Sequence, residues 1–383
     1  MLTRSNLPVL ALAATVCAVL TSVLAAMSTV PACDLAVYRA GGYALVHGIS
    51  LYGPQFPNAL PFTYPPFAAW PLVPLALLPS GLCLWLWSFA TLAVLGWVIA
   101  VCFGPVLPDR PWPRALAISG LIVAFGVTSP MTDHLGFGQI NVFLMALCLA
   151  DLLGVRPRRL PQGVLIGLAT VIKLVPGLFI VYLLVTRRYR AAGVAVATAA
   201  AATALAAVVS PADSRLYFTD LVWHLGQRVG LNNNATIGNQ SLQGALLRVL
   251  PGSSVGPVWV ALAAVVLIAG MWAALRAYRA GGDVAGAAVT GLVSVMISPV
   301  SWPHHLVWFV PAIAALVGDG RRRRRVVAGF VVWLVLVART HRLGQDVVDL
   351  YHSGTLRWLG EVLRDSFLFV DIGTVAALAA RRR

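Results

Sequence analysis

The chain contains several uninterrupted apolar stretches that are each long enough to cross a lipid bilayer. A transmembrane α-helix needs about 20 apolar residues to span roughly 30 Å of hydrocarbon. The candidate spans are residues 7–28, 82–106, 114–128, 139–154, 161–186, 190–210, 257–279, 283–299, 304–318, 326–340 and 358–380. Because these runs are continuous rather than alternating, they exclude an outer-membrane β-barrel. The sequence therefore predicts an all-α polytopic membrane protein with about 10–13 transmembrane helices.

The composition excludes a water-soluble enzyme, a disordered protein and a coiled coil. Hydrophobic residues make up 59% of the chain and charged residues only 11%, whereas a soluble domain carries about 25% charged residues. The net charge is +15. In a soluble protein this would point to nucleic acid, but in a membrane protein basic residues contact anionic lipid heads. We expect membrane lipids as partners and no nucleic acid.

Arginine clusters orient the predicted bundle, because basic residues stay on the cytoplasmic side. The clusters lie at residues 110–114, 156–159, 187–190, 276–279, 321–325 and 381–383. Both termini are then cytoplasmic, and residues 29–66, 128–139, 211–256, 299–304 and 340–357 are outside. We predict a multi-pass protein of the inner (plasma) membrane whose active site is extracytoplasmic. We also predict one integral membrane domain over 1–383, with a motif-bearing core at 7–318 and C-terminal helices with a basic tail at 319–383.

Segment 161–186 conflicts with this orientation, since it has basic clusters at both ends. Pro176 lies in its middle beside Lys173. Two interpretations stay open: a broken hairpin that returns to the cytoplasmic side, or a single span with a basic outer end. A broken helix is tolerated at membrane depth where it packs on protein or lines a cavity.

Asp34 is a candidate general base at the outer end of the first predicted span. A partly desolvated carboxylate there can have a raised pKa, which suits proton abstraction. The alternative is an N-cap on the following helix, because Asp is a favoured capping residue. Tyr38 lies four residues later and would share a helical face with Asp34.

Lys173 is the single lysine of the chain and lies in an apolar segment. An ionisable residue in such a place is a functional candidate, and a lipid-linked phosphate would supply its anion. The alternative is a lysine that snorkels at a helix break. Arg39 and Arg248 oppose the orientation rule, and we expect each to meet an anion.

Polar side chains in the other outer segments suit sugar hydroxyls or phosphate. His304 and His305 follow Trp302 and Pro303 between two spans. The amide candidates for sugar contacts are Gln139, Asn141, Asn239 and Gln240. Helix capping and interhelical hydrogen bonds are the structural alternative for these amides. Neither the histidine pair nor the five cysteines show metal-ligand spacing, so we predict no metal.

Several segments, taken in order, resemble family 87 of the glycosyltransferases. The matching pieces are Asp34 with Tyr38, Gly48 with Leu51-Tyr52, Pro61-Phe62-Thr63-Tyr64-Pro65-Pro66, Gly138-Gln139-Ile140-Asn141, Ile172-Lys173-Leu174-Val175-Pro176, Asn239-Gln240-Ser241-Leu242 and Ser298-Pro299 with Ser301-Trp302-Pro303-His304-His305. The resemblance covers roughly residues 30–310. It implies a GT-C-like helical bundle with long extracytoplasmic loops.

The resemblance also implies a reaction and roles for these residues. A mannosyl group would pass from a polyprenyl-phosphate donor to a mannosylated glycolipid acceptor, with inversion and without a cofactor. Asp34 would be the base, and the donor phosphate would meet Lys173, His304, His305, Arg39 and Arg248. The acceptor and sugar would meet Tyr38, Tyr64, Gln139, Asn141, Asn239 and Gln240. An arabinofuranosyltransferase of the same family and a lipid or solute transporter are the alternatives.

Overall fold

The computed structural model describes residues 12, 15–21, 32–53, 60–224 and 235–381. Within these ranges the regular structure is helical, and no strand occurs. The all-α fold predicted from the sequence is confirmed. The predicted first span at 7–28 lies mostly outside the described residues, although residues 15–21 are helical.

The chain forms two compact units that interleave along the sequence. Unit 1 comprises Met1–Val16, Ala93–His134 and Asn234–Arg383, and unit 2 comprises Cys17–Leu92 and Leu135–Asn233. Unit 1 continues through residue 318, where the predicted motif-bearing core ends and the C-terminal helices begin. The single integral domain stays a prediction.

Unit 2 is built mainly from short apolar helices. Its α-helices are Cys33–Val46, Val73–Ala76, the first part of Ser80–Cys102, the end of Ser129–Phe137, Asn141–Leu152, Val164–Ile172, Leu178–Val185, Tyr189–Val209 and Pro211–Leu216. The 3₁₀ turns Pro66–Leu72 and Val175–Gly177 and the π-helical turn Tyr217–Leu221 complete it. Small residues allow close packing here: a Cβ on Gly167 would lie 2.5 Å from the Ala195 carbonyl oxygen.

Unit 1 contains the remaining helices. They are the rest of Ser80–Cys102 and most of Ser129–Phe137, together with Pro111–Gly126, Leu242–Val249, Gly252–Ile297, Phe309–Val317, Arg323–Ala338, Thr340–Leu350, Gly354–Arg364 and Ser366–Ala379. The 3₁₀ turns are Gly104–Val106 and Pro303–Trp308. Gly282 has φ 75° and breaks the long run Gly252–Ile297, which confirms the two predicted segments at 257–279 and 283–299.

Several helices are long and apolar enough to cross a membrane. Within the described residues, three single helices qualify, and the number rises to five if two bent helix pairs each count as one span. The three are Ser80–Cys102, Tyr189–Val209 and Gly252–Ile297. Five shorter apolar helices are also present; one is Pro66–Ala76, and the other four lie at other predicted spans. The protein is a multi-pass membrane protein, and the count of about 10–13 spans stays a prediction.

Two predicted spans are interrupted. Segment 161–186 breaks at Lys173, which is extended with φ −148° and ψ 132°, so the predicted break is confirmed. The basic clusters at the two ends of the segment, residues 156–159 and 187–190, line one cavity, which favours the hairpin interpretation over a single crossing. The span predicted at 358–380 is wrong as a single helix. It ends at Arg364 and restarts at Ser366, because Asp365 leaves the helical path with ψ 16° and pairs with Arg248.

Candidate active site

Asp34 lies in the first turn of the helix Cys33–Val46, whose N-cap is Ala32. No side chain caps this end, so the alternative that Asp34 is an N-cap is wrong. The carboxylate instead accepts a hydrogen bond from Gln139 Nε2, with Oδ2 at 2.8 Å. The helix N-terminus also favours its negative charge.

Gly138 explains why Gln139 comes so close to this helix. Its φ is 69°, in the left-handed region that glycine adopts without steric cost. A Cβ at Gly138 would lie 2.7 Å from the Cβ of Leu35, the neighbour of Asp34. Only a residue without a side chain fits both conditions, and Gln139 is thereby placed beside the carboxylate.

Gln139 is the centre of a hydrogen-bond network. Its Oε1 accepts from the Tyr38 hydroxyl at 3.2 Å and from Asn141 Nδ2 at 3.1 Å. Asn141 Oδ1 in turn accepts from Lys173 Nζ at 2.9 Å. A chain of amides therefore connects the candidate base to the only lysine.

Tyr64 closes the network on the other side. Its hydroxyl lies 3.1 Å from that of Tyr38, and Lys173 Nζ lies 5.8 Å from its ring centroid. A cation over an aromatic ring is attracted by the ring quadrupole. We name the set the Asp34 network. Its members are Asp34, Tyr38, Tyr64, Gln139, Asn141 and Lys173.

The network has a buried layer and a half-buried layer. Tyr38 and Gln139 are 0% and 3% exposed, whereas Asp34, Tyr64 and Lys173 are half-buried. Burial raises the pKa of Asp34, and the Gln139 hydrogen bond and the Lys173 charge partly oppose that rise. Asp34 combines an exposed edge with a carboxylate that is more basic than usual. This arrangement suits proton abstraction from a hydroxyl group.

The loop that carries Tyr64 is supported by residues that the sequence analysis did not assign. The Tyr52 hydroxyl donates to the Tyr64 carbonyl oxygen at 2.6 Å. The buried Asp213 carboxylate accepts from Ser50 Oγ at 2.6 Å and from the Leu51 amide at 3.1 Å. Carboxylates are scarce in this apolar chain, and that scarcity marks Asp213 as a residue of interest. It does not reveal that its partner, Ser50, lies about 160 positions away.

Aromatic rings also border the Asp34 network, and the sequence analysis did not predict them. The Trp87 ring lies 5.8 Å from that of Tyr38 and 4.8 Å from that of Phe143. In the sequence Trp87 is indistinguishable from other aromatic residues of a membrane helix.

A family model decides the class of the protein. It is the model of glycosyltransferase family 87, and it matches residues 62–299. The chain belongs to glycosyltransferase family 87. It is a glycosyltransferase, as the sequence resemblance predicted.

Two relatives from Mycobacterium tuberculosis support the same assignment of the family 87 chain. A polyprenol-phosphate-mannose-dependent α-(1-2)-phosphatidylinositol pentamannoside mannosyltransferase of strain CDC 1551 / Oshkosh is 38% identical, over 91% of this chain and 81% of the relative. A polyprenol-phosphate-mannose-dependent α-(1-2)-phosphatidylinositol mannoside mannosyltransferase of strain H37Rv is 37% identical, over 89% and 83%. Among solved structures, ArnT from Cupriavidus metallidurans bound to undecaprenyl phosphate matches with a TM-score of 0.47 and 17% identity, over 97% of this chain and 76% of that one.

Asn239 and Gln240 of the family 87 chain have structural contacts in unit 1. Asn239 Oδ1 accepts from the Ser301 amide at 3.0 Å, and its Nδ2 donates to the Pro299 carbonyl oxygen at 3.1 Å. Gln240 Nε2 donates to two backbone carbonyl oxygens, and its Oε1 accepts from the Phe367 amide at 3.2 Å. Both amides therefore organise the backbone of unit 1, and their role as sugar ligands stays a prediction.

Arg248 and Arg39 are also engaged with the protein itself. Arg248 pairs with Asp365 and donates to the carbonyl oxygens of Thr236 and Asn239. Arg39 donates to the carbonyl oxygens of two leucines, at 3.1 Å and 2.7 Å. The expected anion of Arg248 is Asp365, and Arg39 meets carbonyl oxygens. Their role at the donor phosphate stays a prediction.

His304 and His305 lie in the 3₁₀ turn Pro303–Trp308 of unit 1. Their rings are nearly perpendicular, with centroids 4.7 Å apart. His304 is buried and His305 is half-buried, so His305 is the better placed of the two to meet a ligand. Their role at the donor phosphate stays a prediction.

The described ranges hold no cluster of metal-binding side chains. There, no three His, Cys, Asp or Glu side chains come together as a metal site requires. Metal independence stays a prediction.

Proposed function

We propose that the chain transfers a mannosyl group from a polyprenyl-phosphate donor to a phosphatidylinositol mannoside or a related mannosylated glycolipid. The donor and acceptor classes are those in the names of its relatives. The observation that carries the proposal is the Asp34 network, because it joins a half-buried carboxylate to the only lysine through Gln139 and Asn141.

Asp34 acts as the general base. Its Oδ2 is held by Gln139, and within the described residues its Oδ1 has no hydrogen-bond partner. The free oxygen accepts the proton of the acceptor hydroxyl. As the proton leaves, the hydroxyl oxygen forms a bond to the anomeric carbon of mannose, and the bond from that carbon to the phosphate oxygen breaks. One such displacement inverts the configuration at the anomeric carbon.

Lys173 stabilises the departing phosphate, which leaves as an anion. Its Nζ uses one donor for Asn141, and an ammonium group has three. A charge-assisted hydrogen bond to phosphate is stronger than a neutral one. Because negative charge builds on the leaving oxygen during the displacement, this contact strengthens toward the transition state.

The experiment that tests the function is transfer of radiolabelled mannose from polyprenyl-phosphate mannose to a phosphatidylinositol mannoside acceptor by the purified chain. Formation of an α-linked product supports the proposal. Transfer of arabinose but not mannose contradicts the mannosyl donor, and lipid movement without transfer supports a transporter.

A matched pair of variants tests the base. Asp34→Asn removes the acceptor of the proton and should lower turnover by about 10²–10⁴-fold. Asp319→Asn makes the same change at a residue with a 53% exposed side chain, and it should leave turnover at the wild-type level. A folded Asp34→Asn protein with wild-type turnover removes Asp34 from the role.

The reaction takes place on the extracytoplasmic side in this proposal. Single cysteines placed at Ser353 and Arg323 of a cysteine-free chain, both at exposed positions, test it with a membrane-impermeant maleimide on intact spheroplasts. We expect labelling at 353 and none at 323. The reverse result inverts the orientation and moves the site to the cytoplasm.

A further inference from the structure

Six arginines line one surface cavity of unit 2, which we name the arginine basin. The cavity volume is about 620 Å³. Two chain segments about 30 residues apart each contribute three arginines. The six are Arg156, Arg158, Arg159, Arg187, Arg188 and Arg190. The fold therefore brings two separate arginine triplets together on one concave surface.

A buried carboxylate organises the first triplet. Asp151 is 0% exposed, and its oxygens accept hydrogen bonds from the Gly163 amide at 3.0 Å and 2.9 Å and from the Ile166 amide at 3.0 Å. Its carbonyl oxygen accepts from Arg156 Nη1 at 3.1 Å. The loop that carries Arg158 and Arg159 is thereby anchored at both ends.

Close packing brings the second triplet beside the first. A Cβ on Gly163 would lie 2.1 Å from the carbonyl oxygen of Ala191, in the first turn of the helix Tyr189–Val209. Arg187 precedes that helix with φ 61°, a conformation that is costly for any residue with a side chain. The positive end of the helix dipole adds to the positive potential of the basin.

Most of this charge has no partner within the protein. The side chains of Arg158, Arg159, Arg187 and Arg190 are exposed and make no hydrogen bond or ion pair with the described residues. No Asp or Glu lines the cavity. Like charges on one concave surface repel each other, and an anion relieves that repulsion.

A second arginine-lined cavity, in unit 1, provides a contrast. Its volume is about 300 Å³. There Arg276 donates to the Ala379 carbonyl oxygen at 3.0 Å, and Arg381 donates to that of Leu316 at 2.6 Å. Those guanidinium groups bind backbone at helix ends, whereas four in the arginine basin bind nothing in the described chain.

We propose that the arginine basin binds the phosphate-bearing headgroup of an anionic phospholipid. The basin opens where the apolar helix Leu178–Val185 ends and the apolar helix Tyr189–Val209 begins. Exposed apolar side chains continue along these helices, among them Leu184 at 45% and Val196 at 52%. Phosphate-binding cations beside exposed apolar helix surface match a headgroup with its acyl chains. This site is separate in function from the Asp34 network.

The test measures binding of short-chain phosphatidylglycerol to the purified full chain in uncharged detergent. Short-chain phosphatidylcholine is the zwitterionic control, and inorganic pyrophosphate tests a soluble phosphate ligand. Arg158→Gln/Arg159→Gln removes two charges from the basin. Arg323→Gln/Arg324→Gln removes two from an adjacent pair that is also exposed and is unpaired within the described residues.

We expect saturable binding of phosphatidylglycerol that weakens about tenfold or more in the basin variant and stays near wild type in the control variant. Arg187→Gly should also weaken binding without harming the fold, because glycine adopts its φ freely. Absence of saturable binding, or equal loss in both double variants, overturns the proposal. Pyrophosphate binding as tight as lipid binding, lost in the same variants, overturns the lipid in favour of a soluble ligand.

Discussion

Replacing Gln139 should shift the pH dependence of turnover. The Gln139 amide donates to the Asp34 carboxylate at 2.8 Å, and a hydrogen bond to a charged group contributes about 1.5–3 kcal/mol. Loss of this bond disfavours the ionised carboxylate and raises the pKa of Asp34. Because water replaces part of the bond at a half-buried carboxylate, and about 1.4 kcal/mol is a tenfold change in an equilibrium constant, we expect Gln139→Leu to lower turnover about tenfold on the acid side of the pH profile.

The sign follows from the role of Asp34 as a base. Only the ionised carboxylate accepts a proton, so turnover falls as the pH drops through its pKa. That pKa is already raised by burial. When Gln139→Leu raises it further, the fall occurs at higher pH. Gln139→Glu should shift it further still, because a second carboxylate disfavours ionisation of the first.

The assay is the turnover rate of purified variants between weakly acidic and neutral pH at saturating donor. Tyr38→Phe is the matched control, since it removes a hydrogen bond to Gln139 and leaves that between Gln139 and Asp34 in place. The pH at which its turnover falls on the acid side should equal that of the wild type, whatever its maximal turnover. If Gln139→Leu is folded and its turnover falls at the same pH as that of the wild type, Gln139 does not position the base.

Three further predictions concern other parts of the two units. Lys173→Met should raise the KM for the donor about tenfold or more while changing the acceptor KM little, because a charge-assisted contact to phosphate is lost; an unchanged donor KM would make Lys173 structural. Gly138→Ala should lower the melting temperature and the turnover together, since its Cβ would meet Leu35 at 2.7 Å; a wild-type melting curve would contradict this. His305→Ala should reduce turnover at full folding yield, whereas His304→Ala should mainly reduce thermal stability because His304 is buried; the opposite pattern would exchange their roles.

Local spacing predicted part of the Asp34 network correctly. Tyr38 follows Asp34 by four residues, which places both on one helical face, and both contact Gln139 in the structure. Pro176 predicted the break beside Lys173, because proline interrupts the hydrogen bonds of a helix. These predictions depended only on residues close together in the sequence.

Contacts between distant residues could not be predicted in this way. An amide both donates and accepts, so Gln139, Asn239 and Gln240 look alike in the sequence. Only tertiary packing shows that Gln139 faces a carboxylate and that Gln240 faces backbone. Arg248 pairs with Asp365, which lies 117 positions later in the chain, and no rule of sequence spacing predicts this pair.

The side chain of Gln240 has a consequence for the order in which the protein is assembled during synthesis. It bridges the helix break near Asp365, donating to the Arg364 carbonyl oxygen 124 positions later and accepting from the Phe367 amide. One glutamine thus replaces the backbone partners that the interrupted helix has lost. These bonds cannot form until the ribosome has added residues 364–367, so unit 1 reaches its final hydrogen bonding only after its last helices have been translated. A ribosome that stops before that point releases a chain in which the Gln240 side chain lacks these two partners.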